Sequence, residues 1–352
     1  MKIGLKTFEE CIEKVSYRNK VQHTDYLAEG KFPVVSQEFS LINGYWNQES
    51  DVFNVEKPVI VFGDHTRVLK YINFSFVLGA DGIKIIKPKD FIDPKFFYYF
   101  LQANPIKSKG YARHYKFFKK LSLFVPPLST QQKLVAKLDA IFAEIDKSTV
   151  AAETNAKNVE TLFQSYLKKV FEHNIDSERI KISDTLKLEY GKSLPDVDRN
   201  LNGIYSAYGA NGEKARTNKF LYDKPSIIVG RKGSAGELTL VKDKFWALDV
   251  TYFVTHDNSK TDLEYLYYAL KTKNLSSYAK GVKPGINRND VYALDIFLPN
   301  ISIQRMIVGK LNSLFNEVTK SKKNYTDKIY ELSHFKNSIL KQAFNSELVK
   351  AA

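Results

Sequence analysis

The residues able to do chemistry concentrate in loops where glycine punctuates runs of Arg, Lys, His, Asn and Tyr. In the N-terminal half these are Ser36-Gln37, Asn43-Gly44-Tyr45, Asp64-His65-Thr66-Arg67 and the stretch from Lys109 through Gly110, Arg113 and His114 to Lys116. In the C-terminal half they are Tyr208-Gly209-Ala210-Asn211-Gly212, Gly230-Arg231-Lys232-Gly233-Ser234 and the stretch from Lys280 through Lys283 and Gly285 to Asn287-Arg288. Arg pairs bidentately with a guanine edge, Asn or Gln with an adenine edge, and Lys or a glycine N–H meets phosphate. The candidate DNA contacts are therefore Gln37, Asn43, Tyr45, His65, Arg67, Lys109, Arg113, His114 and Lys116, then Tyr208, Asn211, Arg231, Lys232, Ser234, Lys280, Lys283, Asn287 and Arg288. Arg113, His114, Asn287 and Arg288 combine base-edge groups with a Gly-bearing approach, whereas Lys109, Lys116, Lys280 and Lys283 read as phosphate contacts. Singly, each is an ordinary solvated loop residue; recurrence of the set in both halves gives it weight.

Catalytic motifs are weaker. An amino-methyltransferase needs an Asn/Asp-Pro-Pro-aromatic loop, but Asn104-Pro105-Ile106 lacks the second proline and Val125-Pro126-Pro127-Leu128 lacks the polar head and the aromatic. The cluster Gly230 to Gly236 follows a strand-like run yet is neither GxGxxG nor GxxxxGK[ST], so it reads as a basic turn. Glu29-Gly30-Lys31 has a nuclease-like Glu-x-Lys form, but such triplets are common and Asp25 lies too near to be a convincing metal partner. No catalytic residue, metal ligand or cofactor site is assigned. Phe96-Phe97-Tyr98-Tyr99-Phe100 and Tyr265-Leu266-Tyr267-Tyr268 could stack on bases but read as core.

The elements that must position these loops follow from length and pattern. At 352 residues the chain holds about two or three domains. Its 53 Lys and Arg against 39 Asp and Glu leave a net charge of +14, which favours an anionic partner. With 43% hydrophobic and 13% aromatic residues, that charge sits on a folded body and not on a basic tail. The single cysteine, Cys11, cannot form an internal disulfide, and the six histidines never fall at ligand spacing. Glu9, Glu10 and Glu13 occupy the place of a signal peptide's apolar stretch, and no run nears the roughly 18 apolar residues of a membrane span, so a cytoplasmic location is expected.

The chain also repeats itself. A shift of 173 places QQKLVAKLDAIFAEIDK (131–147) on QRMIVGKLNSLFNEVTK (304–320), with seven of seventeen positions identical. The same shift aligns Leu121-Ser-Leu-Phe-Val-Pro126 with Leu294-Asp-Ile-Phe-Leu-Pro299; upstream, shifts of 169 and 167 align Tyr98 to Leu101 with Tyr267 to Leu270 and Pro58 to Val61 with Pro225 to Ile228. So long a period means duplicated domains, not a solenoid. Each copy begins with apolar runs of strand length mixed with short amphipathic segments, an α/β pattern. Prolines then stop the last strand, and Ser129 or Ser302 is the expected N-cap of a long helix.

In the first helix Leu134, Leu138, Ile141, Ile145, Ser148, Ala152, Asn155, Val159, Leu162 and Tyr166 step by four and three, a heptad seam. Ile307, Leu311, Leu314, Val318, Ser321, Tyr325, Lys328, Leu332, Phe335 and Ile339 repeat it in the second. About 40 residues make a rod near 60 Å, and a lone rod would expose its stripe. The two are expected to pack antiparallel; the alternative is two separate helices, each capping its own domain.

The stretch from Pro126 to Phe142, repeated from Pro299 to Phe315, resembles the helix start of type I restriction-modification specificity (S) subunits, as does each loop before it. The likeness covers nearly the whole chain. It implies an α+β fold of two tandem α/β target recognition domains separated by two long helices packed as an antiparallel coiled coil, with pseudo-twofold symmetry. Residues 1–129 would be the first recognition domain, 130–172 the first spacer helix, 173–301 the second recognition domain and 302–350 the second spacer helix. It further implies a non-catalytic subunit in which each domain reads one half of a split site on double-stranded DNA and the helices set the spacing. Methyltransferase (M) subunits would dock and carry the adenine-methylating chemistry with S-adenosylmethionine; restriction (R) subunits, where present, would use ATP with Mg. The second copy opens with Ile182-Ser-Asp-Thr-Leu186 and Tyr190-Gly191-Lys192, as such domains commonly do, while the first lacks the Gly-Lys turn. A stand-alone DNA-modifying enzyme and a coiled-coil adaptor without base readout stay open as alternatives.

Overall fold

The computed structural model describes residues 4–17, 19–80, 82–110, 112–172 and 178–345. Tyr111, His173, the boundary expected at 173 and the expected helix positions 346–350 lie outside the described residues. The chain forms two compact units, residues 1–153 with 327–352 and residues 154–326. Each combines one globular part with part of both long helices.

The first globular part runs β1 (Gly4–Thr7), α1 (Phe8–Cys11), β2 (Ile12–Glu13), β3 (Phe32–Val35), β4 (Gly44–Trp46), β5 (Val52–Phe53), β6 (Val59–Gly63), β7 (Leu69–Ile72), β8 (Phe76–Leu78), β9 (Ile83–Pro88), α2 (Pro94–Ala103) and β10 (Ser122–Val125), and leads into α3 (Leu128–Glu172). The second runs β11 (Arg179–Lys181), β12 (Leu186–Tyr190), β13 (Tyr205–Gly209), β14 (Gly212–Thr217), β15 (Ser226–Gly230), β16 (Leu238–Val241), β17 (Phe245–Ala247), β18 (Thr251–His256), α4 (Leu263–Lys271), α5 (Arg288–Tyr292) and β19 (Asp295–Phe297), and leads into α6 (Ile301–Asn345). The order β2-β9-β6-β7 in one recurs as β12-β18-β15-β16 in the other; β4-β3-β8 recurs as β14-β13-β17, and β1-β10 as β11-β19. Most pairs are antiparallel, with one parallel pair in each unit, β3 with β8 and β13 with β17. Hairpins join β3 to β4, β6 to β7, β13 to β14 and β15 to β16, the other pairs bring together strands distant in sequence, and neither parallel pair is linked through an α-helix, so the class is α+β.

β6 and β15 are buried at all five positions, as an uninterrupted apolar run requires when both faces of a strand are covered. One cover is α2 or α4. Asp93 caps α2 by accepting the N–H groups of Lys95 and Phe96, and Pro94 supplies a preset first turn; Asp262 caps α4 through Tyr265 N–H. The aromatic runs read as core are core: Phe96 and Phe97 are fully buried, and Tyr265 is 1% exposed.

Each cap is tied in turn to a long helix by a buried glutamine. Gln131 Oε1 accepts Asp93 N–H at 2.8 Å while its Nε2 donates to Phe91 O at 3.0 Å and Pro126 O at 2.8 Å. Gln304 repeats this with Asp262 N–H at 2.8 Å, Lys260 O at 3.0 Å and Pro299 O at 2.7 Å. Both glutamines are 0% exposed. The glutamine shared by the two copies is thus the lock between strand end, short helix and long helix.

The long helices pack against each other antiparallel. In the first unit Lys336 reaches Asp146 at 2.7 Å; in the second Lys322 reaches Glu160 at 2.8 Å and Phe163 packs on Phe315 with ring centroids 5.6 Å apart. As one residue number rises the other falls. These exposed ion pairs mark register and contribute about 0–1 kcal/mol each.

Two expectations about the helices need correction. Neither Ser129 nor Ser302 is the cap: α6 starts at Ile301 with Asn300 Oδ1 accepting Ile303 N–H at 3.0 Å, and α3 starts at Leu128 with Pro127 O accepting from Thr130 and Gln131. The buried stripe also departs in part from the expected heptad seam, sharing Leu138, Ile145 and Ala152 with it in α3 and Leu311 and Val318 in α6. Ile141, Leu162 and Tyr166 are 42%, 68% and 41% exposed, whereas Val135, Leu138, Phe142, Ile145, Ala152, Phe163, Leu167 and Phe171 are buried. The stripe turns because the helix faces α2 or α4 as well as its partner: Phe142 meets Tyr99 and Phe171 meets Tyr265, at centroid distances of 5.3 and 5.1 Å. Among the described residues no helix is long and apolar enough to cross a membrane, and no group of three His, Cys, Asp or Glu side chains is placed to hold a metal ion.

Candidate nucleic-acid interface

Three loops in each unit meet beside the end of the central strand. In the first unit they are the β3–β4 loop (36–43), the β6–β7 turn (64–68) and the segment 104–116 after α2. In the second they are the β13–β14 turn at 210–211, the β15–β16 loop (231–237) and the segment 279–288 after α4. One bond is repeated: His114 N–H donates to Asp64 O at 2.9 Å, and Ile286 N–H donates to Arg231 O at 2.9 Å. The same face is therefore built twice from different side chains.

In the first unit a polar cleft of about 580 Å³ lies among Lys20, Gln37, Asp64, His65, Lys84 and Arg113. It brings together three expected contacts, Gln37, His65 and Arg113, and adds two lysines that the loop search passed over. Lys84 was within reach of pattern reasoning, since it faces away from buried Ile83 and Ile85 in β9; Lys20 had no signal. Gln37 Oε1 accepts His65 N–H at 3.3 Å, and Asp64 Oδ1 accepts Tyr115 N–H at 2.6 Å. Gly63 leaves room for this crossing, since a Cβ there would sit 2.1 Å from Thr66 Oγ1. At the hairpin tip Arg67 adopts a left-handed backbone, φ 64°, which costs an L-residue about 1–2 kcal/mol and which glycine would adopt freely. Arg67 is exposed, with its Nη1 donating to Ile106 O at 3.4 Å, and Lys109, Arg113 and Lys116 are exposed too.

Two first-unit assignments change role. His114 is 0% exposed; its Nδ1 lies 2.9 Å from Asp64 O and its Nε2 accepts Lys109 N–H at 3.1 Å. It plugs the position held by buried Ile286 in the second unit and aims the loop instead of reading a base. Asn43 is spent on its own loop: Oδ1 accepts Ser36 N–H at 2.9 Å and Lys70 Nζ at 3.1 Å, and Nδ2 donates to Glu38 at 3.2 Å. Tyr45 is half-buried in β4, where its backbone exchanges hydrogen bonds with Leu27.

In the second unit the loops are strapped together by Gly233 N–H to Pro284 O at 3.1 Å and by reciprocal Lys280–Gly285 backbone bonds. Tyr190 organises the arginines. The Arg231 guanidinium lies 5.5 Å from its ring centroid and 5.9 Å from that of Tyr252, and Arg288 lies 5.2 Å from the Tyr190 ring. Arg231 Nε and Nη2 also donate to Asp249 O at 3.2 and 2.7 Å, fixing the guanidinium plane. Gly191 admits this arrangement, because a Cβ there would lie 2.0 Å from Leu248 O. Burial, with Tyr190 next in effect, pushes the Tyr252 hydroxyl up, so it stays a neutral donor to Ile286 O at 3.2 Å. The sequence had marked Tyr190-Gly191-Lys192 as an opening motif but gave Tyr190 no role.

Lys232, Lys283 and Asn211 are exposed, and Ser234 is half-buried. Lys280 is exposed but pairs with Asp290 at 3.3 Å. Asn287 caps α5 through Asn289 N–H at 2.9 Å, so its carbonyl is committed to that cap. Tyr208 stacks edge-on against Phe245 and belongs partly to the core.

A family described as the type I restriction modification DNA specificity domain matches residues 10–155 and 174–329. The EcoDI type I restriction enzyme specificity subunit of Escherichia coli is 26% identical over 179 residues, which is 50% of this chain and 39% of that protein, so the match spans about two fifths of the relative's length. A chain solved in work on complex assembly and conformational transition of the type I R-M system superposes with a TM-score of 0.75 at 16% identity, covering 98% of this chain and 99% of that one. The HsdS subunit of Thermoanaerobacter tengcongensis gives 0.55 at 16% identity, covering 97% and 96%. At such identities the likeness is one of fold.

Proposed function

We propose a function from one premise: the chain belongs to the type I restriction-modification DNA specificity family. Each unit reads one half of a bipartite site on double-stranded DNA through its three-loop face, and α3 and α6 set the spacer and dock methyltransferase subunits. Those partners carry the adenine methylation with S-adenosylmethionine; a restriction subunit, where it joins, brings ATP and Mg. The work takes place in the cytoplasm. The observation that carries this reading is the doubled face, held by the same backbone bond at His114–Asp64 and Ile286–Arg231 and furnished with different side chains. Equal scaffolds with unequal contacts are what two independent readings require. The base readers in this proposal are Gln37, His65, Arg67 and Arg113 in the first unit and Arg231 and Arg288 in the second, while the exposed lysines grip phosphate.

Two results are expected. The purified chain alone transfers no methyl group from labelled S-adenosylmethionine to DNA, and gains that activity when its separately encoded modification subunit is added; transfer by the chain alone overturns the division of labour. Replacing residues 173–298 with the same segment of a relative changes one half of the methylated sequence and leaves the other half unchanged. Methylation mapping of the chimera reads this, and a change in both halves or in neither refutes the two-module reading.

A further inference from the structure

We infer that Lys70 is a positioning residue for the first unit's DNA reading: its buried ammonium holds the 36–43 loop in one shape and so sets how Gln37 and the loop tip meet the half-site. The inference rests on the proposed DNA reading and adds the residue on which one half of it depends.

The loop has reason to wander. It spans eight residues between β3 and β4, and Phe39, Leu41 and Ile42 at its tip are 87%, 48% and 38% exposed. A loop ordered only on binding loses affinity to that ordering, and one held beforehand does not. Lys70, on β7, is 4% exposed. Its Nζ donates to Ser36 O at 2.8 Å, to Ser40 O at 2.5 Å and to Asn43 Oδ1 at 3.1 Å. An ammonium has three donors, and these contacts fall at the start, middle and end of one loop. The loop reaches the polar cleft from there: Thr66 Oγ1 donates to Gln37 O, and Gln37 shares the cleft with Arg113 and Lys84.

A buried ammonium is expensive, and an apolar side chain would fill a sheet position at less cost. The second unit shows that the shared scaffold does not need it. Lys70 stands opposite Val61 in the β6–β7 pair; the matching place in the β15–β16 pair, opposite Ile228, is Thr239. The matching connection there is the two-residue turn Ala210–Asn211. Clamp and long loop occur together in one unit and are absent together from the other.

Burial pulls the Lys70 pKa down to about 8, and Glu38, on the loop, opposes that shift. Raising the pH from 7 to 9 therefore removes a proton from the clamp, which weakens its hold on the two carbonyls and on Asn43.

The test uses the full chain assembled with its modification subunit and measures binding to duplexes altered in one half-site at a time. Lys70→Met keeps the stem and removes the donors. Discrimination at the first half-site is expected to fall about tenfold while the second half-site and the salt slope stay unchanged. Wild-type discrimination at the first half-site should decline between pH 7 and 9, and the Met variant should show no such decline. Asn43→Ala, which cuts the clamp from the loop side, should reproduce the selective loss; it decides the matter if Lys70→Met unfolds the first unit, as faster amide hydrogen exchange across β6 and β9 would reveal. Unchanged first-half discrimination in a folded variant overturns the role of Lys70 alone. Failure of the wild-type assembly to discriminate either half-site overturns the DNA reading and this inference with it.

Discussion

Gln131→Ala is expected to destabilise the first unit by about 3 kcal/mol, since it leaves Asp93 N–H, Phe91 O and Pro126 O buried without their partner, each such group costing about 1–3 kcal/mol before relaxation. At about 2–4 °C per kcal/mol for a body of this size, the melting transition should fall by roughly 6–12 °C. Gln304→Ala should do the same to the second unit, through Asp262, Lys260 and Pro299. Amide hydrogen exchange separates the two, because Gln131→Ala should speed exchange near residues 91–97 and spare 260–266, and Gln304→Ala the reverse. Gln164→Ala is the control: Gln164 is exposed on α3 and donates to the neighbouring Glu160, so its loss should stay within about 0.5 kcal/mol. If Gln131→Ala melts within 2 °C of wild type, the glutamine is not the lock. A buried amide with all its hydrogen bonds made contributes through geometry, which is why an apolar replacement of similar size should not rescue it.

Tyr190→Ala should relax base preference in one half-site only, by about 1–2 kcal/mol, or roughly five- to thirtyfold, because two guanidinium groups lose the ring that holds them. Tyr190→Phe keeps the ring and should stay near wild type. Arg231→Ala and Arg288→Ala should each cost about 1–3 kcal/mol of discrimination in that same half. Combined with Tyr190→Ala they should add less than their sum, since the three side chains form one contact group. Lys232→Ala should behave differently, weakening all sequences alike and lowering the salt slope by about one. Competition binding with half-site variants at two salt concentrations reads these outcomes. If Tyr190→Ala changed both half-sites, or changed affinity without changing preference, the positioning role would be wrong.

Within the fold, what the sequence determined was local or repeated. The shift of 173 residues announced two copies, and β-strand order recurs in both. The aromatic run from Phe96 to Phe100 is core because it lies on a ten-residue amphipathic helix whose spacing alone predicts burial. The loops were found because glycine and basic residues cluster along the chain, and the structure gathers Gln37, His65 and Arg113 into one cleft.

Only the tertiary structure decided which members of those loops face outward. His114 looked like a base reader, yet it meets the carbonyl of a residue fifty positions away and fills the slot that Ile286 fills in the other copy. Asn43 and Lys70 are joined across twenty-seven positions, and Gln131 to Asp93 across thirty-eight. The buried stripe of α3 turned for the same reason, since Phe142 answers to Tyr99 as well as to the partner helix. Periodicity records how a segment meets a surface; the direction of a polar side chain is set by whichever donor or acceptor the fold brings within about 3 Å, and that partner lies far off in sequence.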